Sequence, residues 1–422
     1  MLRTSSRSSF GSFPRSRKTS IGFHTFMLSI FLSWSMAKEL LDIFKHYSKT
    51  TGITKWKGIP DKKTGKPKTV INPDGSSCLT YPLYEIKFTE WGRGITWYIS
   101  FIETEKDKNG RQLRYAIFSV KLNPRLFWGD KNFITASNET HIDGIPSKYD
   151  SIIKEISNEI PPFSAYRLSR VDYCINFDLE ELRLNIPVER MMELLERAND
   201  WGHFKERLVY NKRTHRKEPE ENCFYLETRP LNINCYWKYA DLIKNYPDTP
   251  NIEDSKNVIR FEPQFKSPKI NKFRKVWHDP NLSDEENEWI LIKNLLSDAM
   301  SEYVVFDYFD KVIRPGNYYT LETAISKCGS RQTLIDTLKL IAKKRGIHKA
   351  KKYLEEKLEQ AVESRDIDAA HIASSNMDKF SYSLRELAKL GINPVCIPRD
   401  DWEVSSELGL MEAYKLVMEP VR

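Results

Sequence analysis

Histidine and cysteine are sparse in this chain and nowhere grouped. Eight histidines and six cysteines are spread over 422 residues, with no CxxC pair, no HxH and no HExxH. That scatter excludes a zinc ribbon, a histidine-built metal hydrolase and a disulfide framework. GxxxxGK[ST], GxGxxG and GxSxG are also missing, so the chain has no nucleotide-cradling loop, dinucleotide fingerprint or nucleophile elbow. Any helicase work must come from another protein. Cys174 and Cys235 fall inside strand-like runs and read as small buried residues, which fits a reducing cytoplasm.

Long apolar runs are missing too, with one exception. Up to Ser20 the chain is rich in Ser and Arg and has no Asp or Glu, and Ile21–Trp34 is then nearly all apolar. A basic segment followed by such a run reads like a secretory signal and is short for a membrane span. The alternative start is Met36, opening MAKELLDIF, with everything upstream mis-annotated. Residues 1–35 are therefore set apart as a leader, with the start at Met36 preferred and no stable membrane association expected.

Acid is missing from other stretches as well. Residues 266–275 (KSPKINKFRK) hold five cations and no acid, and residues 343–352 (KKRGIHKAKK) hold no acid either. Residues 203–217 and 55–68 are also mainly basic, within a formal net charge of +8. Basic runs interleaved with Trp and Tyr point to a polyanion partner, nucleic acid first.

What is present is an unusual strand, 168–178. With period two, one face carries Arg170, Asp172, Asn176 and Asp178, and the other Val171, Tyr173, Ile175 and Phe177. Carboxylates are not favoured on strands, yet residues 257–266 repeat the pattern with Arg260, Glu262, Gln264 and Lys266 opposite Ile259, Phe261 and Phe265. Residues 232–239 set Asn232, Asn234, Tyr236 and Lys238 against Ile233, Cys235, Trp237 and Tyr239. In one sheet these strands would share an open face bearing Asp172, Glu262 and a Tyr-x-Lys. Two carboxylates can hold a divalent cation through hard oxygens, and a tyrosine hydroxyl beside that cation can act as a nucleophile.

The rest of the chain fits an α+β architecture. Residues 52–77 read as loop or hairpin, and strand-like runs follow at 83–89, 95–102 and 114–122. A helix over 150–160 is stopped by Pro161 and Pro162, and Val188, Met191, Met192 and Leu195 form the stripe of another. Residues 36–317 thus predict a mainly antiparallel, RRM-like sheet with helices on one face. The likeness of Arg170/Asp172 to Arg260/Glu262 hints at duplicated βαβ units. Residues 318–422 predict a separate helical domain with stripes at Leu334/Leu338/Ile341, Ala350/Leu354/Leu358 and Phe380/Leu384/Leu387. It reads either as a helix-turn-helix DNA reader or as a plain bundle, with a basic hinge at 343–352.

Four segments in order, VKLNPRLFWGDKNF, SRVDYCINF, INCYWKYADL and NVIRFEPQFK, resemble the replication initiators of filamentous bacteriophages (the gene II/X family) and related rolling-circle factors of phages and plasmids. The resemblance runs over about residues 80–275, and KFSYSLRELAKLGINPVCIPRDDW is similar more loosely. It implies a nickase that cuts single-stranded origin DNA, with the tyrosine of the Tyr-x-Lys, here Tyr236, taking the 5′ phosphate. Asp172 and Glu262 would then bind Mg²⁺ or Mn²⁺, and Lys238 would stabilise charge on the reacting phosphate. The expected partners are single-stranded or supercoiled origin DNA, a host helicase and a polymerase, with no small-molecule cofactor. Arg170, Arg260, Lys266, Lys269, Lys272, Arg274 and Lys275 are the expected DNA contacts. Pro263 departs from the pattern and places its strand at an edge or a bulge. Tyr303 and Tyr308 are the reserve nucleophiles. The competing reading is a non-catalytic module binding single-stranded nucleic acid on an RRM-like sheet, which would favour aromatics over carboxylates on the open face.

Overall fold

The computed structural model describes residues 18–418, apart from 53, 60–67, 72–76, 81–82, 89–93, 105–109, 111, 131, 200–201, 203, 212–215, 219–221, 248, 251 and 399–407. The chain enters as strand β1 (Ser20–Ser33), followed at once by helix α1 (Trp34–Thr51). The Ser33 side chain accepts the Met36 N–H, so it caps α1, and Gly52 in the left-handed region (φ 66°) closes the helix. Strands β2 (Thr54–Ile59), β3 (Lys68–Ile71), β4 (Ser77–Thr80), β5 (Leu83–Phe88), β6 (Ile95–Thr104) and β7 (Arg114–Leu122) come next. The short helix α2 (Pro124–Phe127) and helix α3 (Ile145–Ile156) lead into β8 (Arg167–Asp178) and α4 (Val188–Ala198). Then come β9 (Lys205–Glu206), β10 (Val209–Asn211), β11 (Arg216–Glu218), β12 (Cys223–Glu227), β13 (Leu231–Trp237), α5 (Lys238–Asn245) and β14 (Val258–Lys266).

All but β10 and β11 join one sheet, with the order β2-β5-β6-β7-β1-β8-β14-β13-β12-β9 and β4 also on β6. Its pairs are antiparallel, as expected. The duplication is real but larger than the sequence hinted. Each half is a strand and a helix followed by a meander whose last strand returns beside the first: β5-β6-β7-β1 mirrors β12-β13-β14-β8. β8 and β14, which looked like copies of one another, are neighbours within the second half. The repeating unit is antiparallel throughout, so it is not a βαβ crossover.

Residues 20–33 correct the leader reading. β1 lies at the centre of the sheet, paired with β7 on one side and β8 on the other. Phe23, Phe26, Leu28 and Leu32 enter the core. β1 carries apolar residues on its open face as well, with Met27 half-buried and Phe31 71 % exposed, so its sequence runs together much as a signal segment does. Among the described residues no helix is long and apolar enough to cross a membrane.

The apolar face of the sheet is covered by helices. Phe44 of α1 meets Trp97 and Phe118, and the Tyr173 hydroxyl donates to Leu295 O at the end of α7 (Asp284–Leu295). Phe309 of α8 (Asp298–Val312) packs on Phe177 and Phe261. Helix α6 (Ser267–Val276) lies on the same side, with Ile270 in the core and Phe273 stacked on Phe265. Beyond residue 318 follow α9 (Leu321–Cys328), α10 (Gln332–Lys344), α11 (Ile347–Glu363), α12 (Ile367–Lys389) and α13 (Leu410–Met418). They keep a small apolar cluster of their own around Leu334, Leu338 and Leu387. Ile341, Ile347, Phe380 and Tyr414, however, belong to the same core as the sheet.

β1 is held to close tolerance. A Cβ at Gly22 would stand 2.0 Å from Ser137 O, the atom that accepts the Phe23 N–H at 3.0 Å. Gly22→Ala is therefore expected to lower stability by about 1–3 kcal/mol in a denaturant titration. A chain begun at Met36 removes the central strand altogether and should show no cooperative unfolding. A native-like, cooperative transition from that shorter chain would overturn the role given to β1.

Candidate active site

The polar face was expected to gather Asp172, Glu262, Tyr236 and Lys238; the structure sets Tyr236 on Glu262 and Lys238 beside the Tyr236 ring, and turns Asp172 to Arg170 and Thr25. In the ladders Gln264 faces Asp172 and Asn234 faces Glu262. The two carboxylates are therefore diagonal neighbours on adjacent strands, roughly 7 Å apart at the backbone. Pro263 is not at an edge, since β14 lies between β8 and β13. Pairing with β8 passes from Phe261–Ile175 to Gln264–Asp172 with no shift of register. The missing N–H is absorbed by a gap in the ladder, and Glu262 keeps its place on the polar face.

Glu262 is the hub. It is 4 % exposed, and its two oxygens divide the neighbours between them. Oε1 accepts from Gln264 Nε2 at 2.7 Å and Asn234 Nδ2 at 3.3 Å. Oε2 accepts from the Tyr236 hydroxyl at 3.3 Å and lies 3.3 Å from His24 Nδ1. Burial works to raise the Glu262 carboxyl, but the hydrogen bond and charge of His24, with Arg260 and Gln264, outweigh it and hold the group well below the usual carboxylate range. Burial, with Arg260 adding to it, pushes the His24 imidazole below its ordinary value. Burial and the Glu262 charge push the Tyr236 phenol well above its own. Tyr236 is thus a phenol at neutral pH and needs help to ionise.

His24 is the residue that sequence reasoning missed, because it sat in the supposed leader. β1 changes register against β8 between Phe23 and Thr25, a β-bulge that leaves His24 as the extra residue. His24 and Thr25 both reach the polar face in consequence. The Thr25 hydroxyl donates to Asp172 Oδ2 at 2.5 Å. The signal was a break in alternation, since Phe23 and Phe26 both enter the core with two polar residues between them.

Lys238 is not a strand residue, as β13 ends at Trp237 and Lys238 opens α5. Its Nζ lies 5.7 Å from the centre of the Tyr236 ring and 2.8 Å from Asp241 Oδ2. Burial, then Arg260, lowers its pKa despite that partner. Arg170 clamps Asp172 with two bonds, Nε to Oδ1 at 2.5 Å and an Nη to Oδ2 at 2.8 Å.

Several expected contacts lie elsewhere. Arg260 is fully buried, donating to Asn176 Oδ1 and Ile134 O, so it is a scaffold cation and not an exposed phosphate contact. Asp178 caps the turn after β8 by accepting the Glu180 and Glu181 N–H groups. Lys266 stays on the polar face, opposite Arg170, and donates to Thr228 O at 2.9 Å. Arg274 is spent on Glu288 and Leu168 O. Lys269 rests over the Phe265 and Phe273 rings. With Lys272 and Lys275 it belongs to α6, which packs on the helix-bearing face. Tyr303 and Tyr308 are on α8, and Tyr308 packs edge-on against Phe265 of that same face. The sheet separates both from Glu262.

Carboxylates such as Glu262 and Asp172 and an imidazole such as His24 are donor types that hard or borderline divalent cations accept. Among the described residues no three His, Cys, Asp or Glu side chains stand close enough to make a ready three-donor site. Asp172 faces Arg170 and Thr25, while Glu262 faces β13 and β1.

The depressed Glu262 pKa has a consequence for acid stability. A carboxylate whose folded pKa lies below its unfolded value stabilises the fold above that unfolded value. The contribution is lost as pH falls toward the folded pKa. The wild type should therefore lose stability relative to Glu262→Gln as pH drops below the ordinary value of 4.5. Chemical denaturation from about pH 7 to pH 3 reads this difference. A difference that stays constant over that range would contradict the assignment.

No family model matches the chain, and no curated protein does either. Among solved structures, the chain is similar to a rolling circle replication initiator protein from Geobacillus stearothermophilus. The two align at 6% identity over 66% of this chain and 96% of the other, with a TM-score of 0.22. So loose an overlap assigns no role to any residue.

Proposed function

We propose that this chain is a rolling-circle replication initiator that nicks single-stranded origin DNA, with Tyr236 as the nucleophile. The observation that carries this reading is the Tyr236 hydroxyl on Glu262 Oε2 at 3.3 Å, with Lys238 beside the ring and Asp172 diagonal to Glu262 on the adjacent strand. A half-buried tyrosine on a strand is commonly just packing. Here its hydroxyl is aimed at a carboxylate that three other side chains also address.

In the reaction the Tyr236 Oη–P bond forms and the P–O3′ bond breaks, leaving a 5′-phosphotyrosine link. The phenol gives up one proton and the departing 3′ oxygen gains one, so the step is balanced and the bond energy is kept for resealing. Mg²⁺ or Mn²⁺ held by Asp172 and Glu262 would polarise the scissile phosphate. Glu262 orients the phenol, and Lys238 offsets charge on the phosphate oxygens. Arg170 holds Asp172 in place. Of the expected DNA contacts, Lys266 and Arg170 are the two on this face that are not fully buried, whereas Lys272 and Lys275 of α6 would meet DNA only where it wraps to the other side. The 3′ hydroxyl would then pass to a host polymerase, with a helicase supplied by the host.

Incubation with circular single-stranded DNA carrying the origin should give a covalent adduct whose linked peptide contains Tyr236. Tyr236→Phe is expected to lose the adduct while still binding DNA. Asp172→Asn and Glu262→Gln should each lower nicking by about 100-fold or more, the scale of one preorganised electrostatic contact. Binding by the wild type with no adduct under any divalent ion would favour the non-catalytic module instead. An adduct on Tyr303 or Tyr308 would remove Tyr236 and leave the nickase reading standing.

A further inference from the structure

Register carries the polar face across both halves of the sheet. Lys266 on β14 pairs with Arg170 on β8, Arg170 with Met27 on β1, and Met27 in turn with Lys121 on β7. Lys121 then pairs with Thr96 on β6, and Thr96 with Lys87 on β5. Residues opposite one another in a ladder share a face, so these side chains form one row at right angles to the strands. Neighbouring strands stand ~4.8 Å apart, which makes the row roughly 24 Å long. It holds cations at Lys266, Arg170, Lys121 and Lys87, and no acid.

Arg170 and Lys87 have carboxylate partners on their own strands, Asp172 at 2.8 Å and Glu85 at 3.5 Å. Lys266 donates to a neutral carbonyl and keeps its charge. Lys121 is half-buried, and its charge opposes the burial that raises the Tyr246 phenol. The two halves of the sheet differ in what borders this row. In the second half the polar face carries Asp172 and Glu262. On β5, β6, β7 and β1 it carries one carboxylate, Glu85, and the rings of Tyr98, Tyr115 and Phe31. Tyr98 is two residues along β6 from Thr96, and Phe31 is 71 % exposed, its ring centre 5.7 Å from that of Tyr115. Helix α1 packs on the opposite face. Aromatics and cations with few carboxylates are what a platform for single strands requires.

We propose that single-stranded DNA crosses the sheet along this row, gripped by the first half while the second half cuts it. The proposal rests on the nickase reading of the Tyr236 site and adds the surface that holds its substrate. Phosphates meet Lys266, Arg170, Lys121 and Lys87. Bases stack on Tyr98 and on Tyr246, which stands 42 % exposed at the end of α5. Lys266 is four residues from Glu262 on β14, about 13 Å, so one strand can reach both. The contacts read charge and ring faces, and the grip is therefore tolerant of sequence.

The test uses the intact chain and oligo-dT, which carries no origin. Lys87→Gln combined with Lys121→Gln should weaken binding and flatten its salt dependence by up to ~1.4, at ~0.7 per lost phosphate contact on a single strand. Lys38→Gln with Lys49→Gln, exposed on α1 of the covered face, should keep the wild-type slope. Tyr98→Ala should weaken binding about fivefold or more, the scale of one stacked base. Ultraviolet cross-linking of an iodouracil-substituted oligonucleotide to the wild type should tag peptides containing Tyr98 or Tyr246, and needs no variant to fold. An unchanged slope in the Lys87/Lys121 variant, an equal loss in the α1 variant, or cross-links confined to other peptides overturns the inference. Self-association that the Lys87/Lys121 changes abolish, with oligo-dT binding unchanged, gives the face to a second copy and overturns it too. An adduct assay on origin DNA separates the two claims. Adduct at Tyr236 with an unchanged slope sinks the track alone, whereas cross-links at Tyr98 without adduct sink the nickase and leave the platform.

Discussion

Backbone pairing of β1 with both β7 and β8 is the constraint on which everything else in the sheet depends. Those two ladders are the seam between the mirrored halves. Remove them and β7 and β8 each present an unpaired edge, while the two apolar faces lose the strand that makes them continuous. The same strand fixes the site, since its bulge sets where His24 and Thr25 reach Glu262 and Asp172. Core, seam and chemistry therefore share one element.

The polar face accumulates charge where charge is costly. Asp172, Glu262, Lys238 and Arg260 are all nearly inaccessible, and each would be strongly unfavourable alone. Their partners explain how they persist: Arg170 on Asp172, Asp241 on Lys238, Asn176 and the Ile134 carbonyl on Arg260. Such networks contribute little net stability compared with an apolar packing of similar volume. What they supply is a fixed geometry, with donors already pointing at the hub carboxylate before any substrate arrives.

Some of this was legible in the residues and some was not. The alternation of 168–178 and 257–266 fixed both the strands and the side on which Asp172 and Glu262 lie, because period two leaves little freedom once one face is apolar. β1 was illegible for the converse reason: Met27 and Phe31 put apolar side chains on its open face too, so alternation does not show. The basic segment 266–275 was legible as charge but not as direction. Phe265, Ile270 and Phe273 decide that α6 packs on the helix-bearing face, and cation counting does not weigh them. Arg260 and Arg274 mislead in the same way, because an arginine on a sequence pattern does not reveal that carbonyls and a glutamate are waiting for it. The start of α5 at Lys238 turned on a helix opening one residue after Trp237, within the ordinary uncertainty of element ends.

The seam also has a history along the chain. Ser20 pairs beside Asn176, and their side chains are joined by a hydrogen bond that spans 156 positions. During synthesis the first strand leaves the ribosome long before its second neighbour exists. Until β8 emerges, β1 can have at most the partner on its β7 side, and an apolar strand waits with one ladder of amides unfilled. Contacts of such long range slow folding and prolong exposure of sticky edges. The early segment of this protein is thus the place where chaperone engagement or off-pathway pairing would begin, and the late arrival of β8 is the event that ends it.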